Sequence, residues 1–312
     1  MSSEISQQQQ NQGKTTLTLQ SVLQQADYVL CDNSTFGQGK GSDWYWDFIY
    51  PIHRFSELDF NSIQRQIEYT KSSLNLLAHP KTFVVSGVSS EILTIVNILS
   101  DKISFLLGEE KRSLRRSGKR FTDHSENESV EKVMLNELCN LLHVSYQQSK
   151  RSELARRNNE KYNFLERIVL SVTENTGAKV DYEKVYHPNR GPKKVEDFHT
   201  SEQLIATALY LSVSESKSCS ILTRNSNIRR ILFNTLSYLT YPDKSVYRGV
   251  IDSATKKNNI RVYYVTGLNE LRLDYDSSQF DSRNRWGISS KAREIIESQI
   301  RSSIPLTSQN IT

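Results

Sequence analysis

Only three of the 312 residues are cysteine, namely Cys31, Cys139 and Cys219, and they are widely spaced with no CxxC pair. That excludes a disulfide framework or a zinc ribbon and points to a reducing compartment. The six histidines form no HxxxH or HExxH pair, which argues against a zinc enzyme. No apolar run reaches the roughly 18 residues that a bilayer span requires. The chain opens with Ser, Glu and Gln rather than with a basic segment followed by an apolar one, so no secretory leader is expected. A soluble, cytoplasmic protein with no membrane partner is the expectation. The glycines of Gly37–Gly41 follow neither GxGxxG nor GxxxxGK[ST] spacing, so that stretch is read as a flexible loop and not as a phosphate cradle.

What is present is ordinary for a globular protein: 37% hydrophobic and 24% charged residues, with 40 Lys+Arg against 35 Asp+Glu for a formal charge of +5. A chain of this length buries enough surface to fold without covalent or metal staples. The positive charge tolerates a polyanionic partner without demanding one. Its densest segment holds Lys111, Arg112, Arg115, Arg116, Lys119 and Arg120, with Lys150, Arg151, Arg156 and Arg157 further on. Such a run either contacts phosphates or is a solvated face.

Residues 1–14 are polar and Gln-rich and read as a disordered tail. Tyr28-Val29-Leu30-Cys31 is a short apolar run that delivers Asp32 at its end. A helix is expected over about 57–78, a strand over 82–86, and a helix after Gly87 with Val88, Ile92, Ile95, Val96 and Leu99 on one face and Glu91 in its first turn. Residues 109–131 read as an exposed loop, 130–172 as two helices and 173–195 as a second loop. A capped helix at 200–213, a strand at 219–222, a helix at 227–239 and a strand at 260–265 follow, and the tail beyond about 274 is polar. Four short buried strands separated by helices imply an α/β, three-layer α/β/α architecture around a central parallel sheet. The domain is expected over 15–275, interrupted by an insertion at about 108–194, with 276–312 as a C-terminal tail.

Ligands of open α/β sheets bind outside the carboxyl ends of the strands. The residues delivered there are acidic and polar: Asp32 after the first strand, Glu91 and Glu202 near helix starts, and Thr223-Arg224-Asn225-Ser226-Asn227 after the third strand. Each acid alone also fits a local role, Asp32 as a turn residue and the two glutamates as helix N-terminal charges. Together, carboxylates gathered from remote positions repel unless a hard cation neutralises them, which makes Mg²⁺ or Mn²⁺ the natural occupant. The aromatic group Trp44, Tyr45, Trp46, Phe48 and Tyr50 either caps the core or offers rings for stacking unpaired bases.

Four segments, YVLCDNS (28–34), TFVVSGVSSEI (82–92), SEQLIATAL (201–209) and SILTRNSNI (220–228), resemble the PIN domain, a family of metal-dependent ribonucleases. The resemblance covers about 25–107 and 195–270 and leaves 108–194 as an elaboration. It implies a divalent-metal-dependent endoribonuclease acting on RNA, single-stranded by expectation. Asp32 would be the central metal ligand, Glu91 and Glu202 direct or water-mediated ligands, and Thr223 or Asn225 would position water. Thr223, Arg224, Arg115, Arg116, Lys119 and Arg120 are candidate RNA contacts. The chain departs from the family's Leu-Thr-x-Asp-x-Asp segment, with Asn225 and Asn227 at both acidic positions, which weakens the affinity for a divalent cation. The alternative is a catalytically degenerate PIN-like scaffold that binds RNA or protein. A homo-oligomer or a protein partner is compatible with either.

Overall fold

A computed structural model describes residues 17–36, 57–116, 129–154, 159–177, 184–187, 191–194, 199–240, 248–267, 269–281 and 288–303. The strands are β1 (Leu17–Thr18), β2 (Tyr28–Cys31), β3 (Thr82–Phe83), β4 (Lys184–His187), β5 (Gly191–Lys194), β6 (Cys219–Thr223), β7 (Ile260–Val265) and β8 (Glu270–Asp276). The helices are α1 (Leu19–Gln25), α2 (Phe60–Leu77), α3 (Ser86–Arg116), α4 (Val130–Arg151), α5 (Glu160–Asn175), α6 (Thr200–Ser214), α7 (Asn227–Leu239), α8 (Arg248–Asp252) and α9 (Ser290–Ser303).

The fold is mixed α/β around a six-stranded, mostly parallel sheet of order β1-β8-β7-β6-β2-β3. The four strands expected from the sequence are its parallel part, β3, β2, β6 and β7, with Leu30 opposite both Phe83 and Ile221 and Ile221 opposite Val262. All five residues of β6 and the last three of β2 are buried. A parallel strand covered on both faces requires such an uninterrupted apolar run. The hairpin partner β8 adds to β7 in antiparallel fashion, and β1 closes the edge on β8.

The helices gather in two sets. In one, α4 packs against both α2 and α3; in the other, α5 packs against α6, α7 and α9. Helix α6 is apolar nearly all round and is buried on nearly every residue to Ser212, touching α3, α7, β6 and β7, the burial expected of a helix without a polar face.

Several expectations change. Ser86 starts α3 instead of ending a strand, so Glu91 lies in the second turn and not the first. Helix α3 also runs through Arg116, where the sequence suggested a loop. Val96, Leu99, Ile103 and Leu106 continue its buried stripe, Arg112 pairs with Glu109 at 2.9 Å, and no glycine or proline intervenes between 109 and 117. Within 130–154, Leu135, Leu138 and Leu142 share the main core with β2 and β6. Glu153 bridges Val84 beyond β3, so this stretch is built into the fold. The second loop includes the β4–β5 hairpin. Residues beyond 276 are more than a polar tail: α9 buries Ile296 and Ile300 against Ile168, Val172 and Tyr238. The 1–14 tail, the Gly37–Gly41 loop and the Trp44–Tyr50 aromatics lie outside the described residues.

Candidate functional site at the carboxyl edge of the sheet

The parallel register sets the geometry. Cys31 lies opposite Leu222, and the Asp32 amide donates to the Leu222 carbonyl at 2.9 Å, so Asp32 and Thr223 leave the sheet side by side. The Thr223 hydroxyl donates to Asp32 Oδ2 at 2.7 Å, and the Ser34 hydroxyl donates to the same oxygen at 2.5 Å. Ser34 is placed by a single 3₁₀ turn at Asn33–Thr35, whose Thr35 hydroxyl is anchored on the Leu222 carbonyl at 2.7 Å.

Asp32 is only 6% exposed and Thr223 only 1%. Burial pushes the Asp32 carboxyl above its ordinary value, because the charged form loses its hydration; the Ser34 and Thr223 hydroxyls and the amides of Asn33 and Ser34 oppose that rise without cancelling it.

The segment after β6 folds back on the same centre. Asn225 N donates to Thr223 Oγ1 at 2.8 Å, and Arg224 N donates to Ser34 Oγ at 2.9 Å. The Asn225 side chain accepts from the Asn227 amide at 2.9 Å through Oδ1 and reaches Ser201 Oγ at 3.4 Å through Nδ2. That last bond joins the cluster to the start of α6. One residue earlier, the Thr200 hydroxyl donates to Glu91 Oε1 at 2.5 Å, tying α6 to α3. Hydrogen bonds thus run from Asp32 through Thr223 and Asn225 to Ser201, and its chain neighbour Thr200 bonds Glu91. Glu202 follows in the first turn of α6 and is 8% exposed.

Two features of this junction were not legible in the sequence. Gln203 Oε1 accepts from Gly87 N at 2.9 Å and from Ser86 Oγ at 3.2 Å, so α6 caps the first turn of α3 while α3 supplies Glu91 to α6. His199, the N-cap residue of α6, adopts φ 51° and ψ 36°, the left-handed region that non-glycine residues rarely occupy. No local spacing rule reveals the Gln203 cap, because it depends on how two helices remote in sequence meet.

A small cavity of about 30 Å³ opens beside the cluster, lined by Thr35, Tyr69, Ser72, Leu222, Arg224 and Gly267 among others. Arg224 lines this cavity, and its backbone N–H joins the Asp32 cluster through Ser34. Of the other candidate RNA contacts, Arg115 and Arg116 fall in the last turn of α3, and Lys119 and Arg120 lie outside the described residues. Cys31 and Cys219 are fully buried core residues whose thiols burial pushes up, so neither is poised as a nucleophile.

Among the described residues no three His, Cys, Asp or Glu side chains stand close enough together to hold a metal ion. Asp32 and Glu91 each also give an oxygen to a hydroxyl donor. This donor set does not match a closed cage of carboxylates. Mg²⁺ is commonly held through only one or two carboxylates and retained water, with substrate phosphate completing the shell, so a single carboxylate such as Asp32 would be enough to anchor it. No helix among the described residues is long and apolar enough to cross a membrane.

No protein-family model, no curated protein and no solved structure matches this chain.

Proposed function

We propose that the chain is a PIN-like endoribonuclease with a weakened divalent-metal site, acting on single-stranded RNA at the carboxyl edge of β2 and β6. The observation that carries this reading is the pair of linked polar contacts, Asp32 through Thr223 and Asn225 to Ser201, and Thr200 to Glu91, that gathers four segments remote in sequence at the edge where α/β sheets bind ligands. Four parallel strands flanked by two sets of helices support a three-layer PIN-like arrangement.

Asp32 would hold Mg²⁺ or Mn²⁺ as the central carboxylate, with Glu91 and Glu202 reaching the ion through bound water. Bound there, the cation would supply an activated water and neutralise charge on the phosphate. The Ser34 and Thr223 hydroxyls orient the Asp32 carboxylate and hold it against the cost of burial. Asn225 braces the start of α6 and with it Glu202. Arg224, whose backbone N–H bonds Ser34 beside Asp32, would be the candidate contact for a neighbouring phosphate.

A second reading, a scaffold of the same fold that binds RNA without cutting it, is favoured by one observation. The Asn225 amide oxygen, at a position where the family carries an acid, is engaged by the Asn227 amide. The two readings separate in a thermal-shift experiment with Mn²⁺, single-stranded RNA, or both. For the enzyme, Mn²⁺ alone shifts wild type little, Mn²⁺ with RNA shifts it by more than the sum of the two, and Asp32→Asn loses that synergy. Equal, additive shifts in both proteins would remove the metal site and leave the scaffold.

A further inference from the structure

Away from the sheet edge, Cys139 and His143 stand four residues apart on α4, which puts them on one face of the helix. Both side chains turn to the same atom of α3. The Cys139 thiol donates to Ser100 Oγ at 3.6 Å, and Ser100 Oγ lies 3.2 Å from His143 Nε2. The helix pair beneath them is rigid, because Leu99 and Ile103 of α3 and Leu138 and Leu142 of α4 are all at most 1% exposed. Cys139 and Ser100 are half-buried and His143 is exposed, so the cluster is open to solvent on one side.

We propose that Cys139 and His143 chelate one zinc-class divalent cation, with the Ser100 hydroxyl and water completing a tetrahedral shell. The donor set decides the class of ion. A thiolate and an imidazole suit Zn²⁺ or Co²⁺, whereas Mg²⁺ and Mn²⁺ prefer the carboxylates of the sheet edge. Binding replaces the S–H bond with an S–metal bond and releases one proton to water, and it requires the imidazole Nε2 in its unprotonated form. Histidine spacing alone hides this pair, because one of its two ligands is cysteine and the third group comes from another helix. With only two strong protein donors, Cys139 and His143, beside the neutral Ser100 hydroxyl, the ion loads reversibly. The site shares no residue with the Asp32 cluster and stands independently of the nuclease reading.

The test is a Co²⁺ titration of the full-length protein under reducing conditions, followed by thiolate-to-cobalt charge-transfer absorption. The expected result is a charge-transfer band saturating at one equivalent and displaced by Zn²⁺. The band should persist in Asp32→Asn, disappear in Cys139→Ser, and need at least about tenfold more Co²⁺ in His143→Ala. The exposed position of His143 keeps that last variant folded, and buried Cys31 and Cys219 cannot supply the signal without unfolding. Absence of the band in wild type overturns the proposal, as does a band unchanged in Cys139→Ser or in His143→Ala.

Discussion

Thr223→Val changes the centre of the polar chain while conserving side-chain volume, so its cost can be worked from the bonds it removes. The hydroxyl donates to Asp32 Oδ2 at 2.7 Å and accepts from Asn225 N at 2.8 Å, in a position only 1% exposed. A hydrogen bond to a charged group is worth about 1.5–3 kcal/mol, and a buried amide left without an acceptor costs about 1–3 kcal/mol. The new methyl group recovers up to about 0.8 kcal/mol of apolar burial. Ser34 still bonds Asp32, which limits the first loss. The balance is a destabilisation of about 2–4 kcal/mol. At about 2 °C per kcal/mol for a chain of this size, Tm should fall by about 4–8 °C. Urea denaturation at pH 7 reads the same quantity as a lower midpoint with an unchanged slope. A change under about 0.5 kcal/mol would mean that Thr223 does not link Asp32 to Asn225, and the assembled site would lose its centre.

Other consequences follow from the same contacts. Because the Asp32 carboxyl titrates above its unfolded value, its contribution is fully present below about pH 3.9 and is lost as pH rises through the folded value; Asp32→Asn should therefore gain stability over wild type between acidic and neutral pH, and a constant difference across that range would refute the burial account. Gln203→Met should cost about 1 kcal/mol by removing the acceptor at the start of α3, with loss of hydrogen-exchange protection confined to the first turn of α3 as its signature. At His199, Gly should be tolerated to within about 1 kcal/mol while Val costs more, because a β-branched residue resists the left-handed region; equal Tm values for the two variants would contradict the backbone geometry. Neutralising Arg115, Arg116, Lys119 and Arg120 together should flatten the salt dependence of RNA binding by a slope of up to about 3, at roughly 0.7 per phosphate contact, and an unchanged slope would take the basic segment out of the interface.

The parallel core was legible because its signal is local. Tyr28–Cys31, Cys219–Thr223 and Ile260–Val265 are apolar runs of strand length between turn residues; the helix expected at 200–213 forms, but His199, with no side-chain cap bond, stands at its N-cap instead of the expected Thr or Ser. β8 was not legible, because a partly exposed strand mixes Arg272, Asp274 and Tyr275 with Leu271 and Leu273 and reads as polar. The end of α3 was missed for a related reason, since a charged helical face resembles a loop when only apolar spacing is counted. At the site, the sequence pointed to Asp32, Thr223, Asn225 and the start of α6, which strand ends deliver by construction. It did not point to Ser34 as a second donor to Asp32, to Gln203 as the cap of α3, or to the Thr200–Glu91 bond. Ser34 sits two residues from Asp32 in the same turn, whereas the Gln203 and Thr200 partners lie on a helix remote in sequence, and only the packing of α3 against α6 determines them.

The most direct test of the central claim is cleavage of an end-labelled single-stranded RNA by the purified protein with Mg²⁺ or Mn²⁺, beside EDTA and Asp32→Asn controls. Internal cleavage that requires the metal and is lost in Asp32→Asn is the predicted result. RNA that is bound equally by both proteins and left intact at every metal concentration would contradict it and identify the fold as a scaffold.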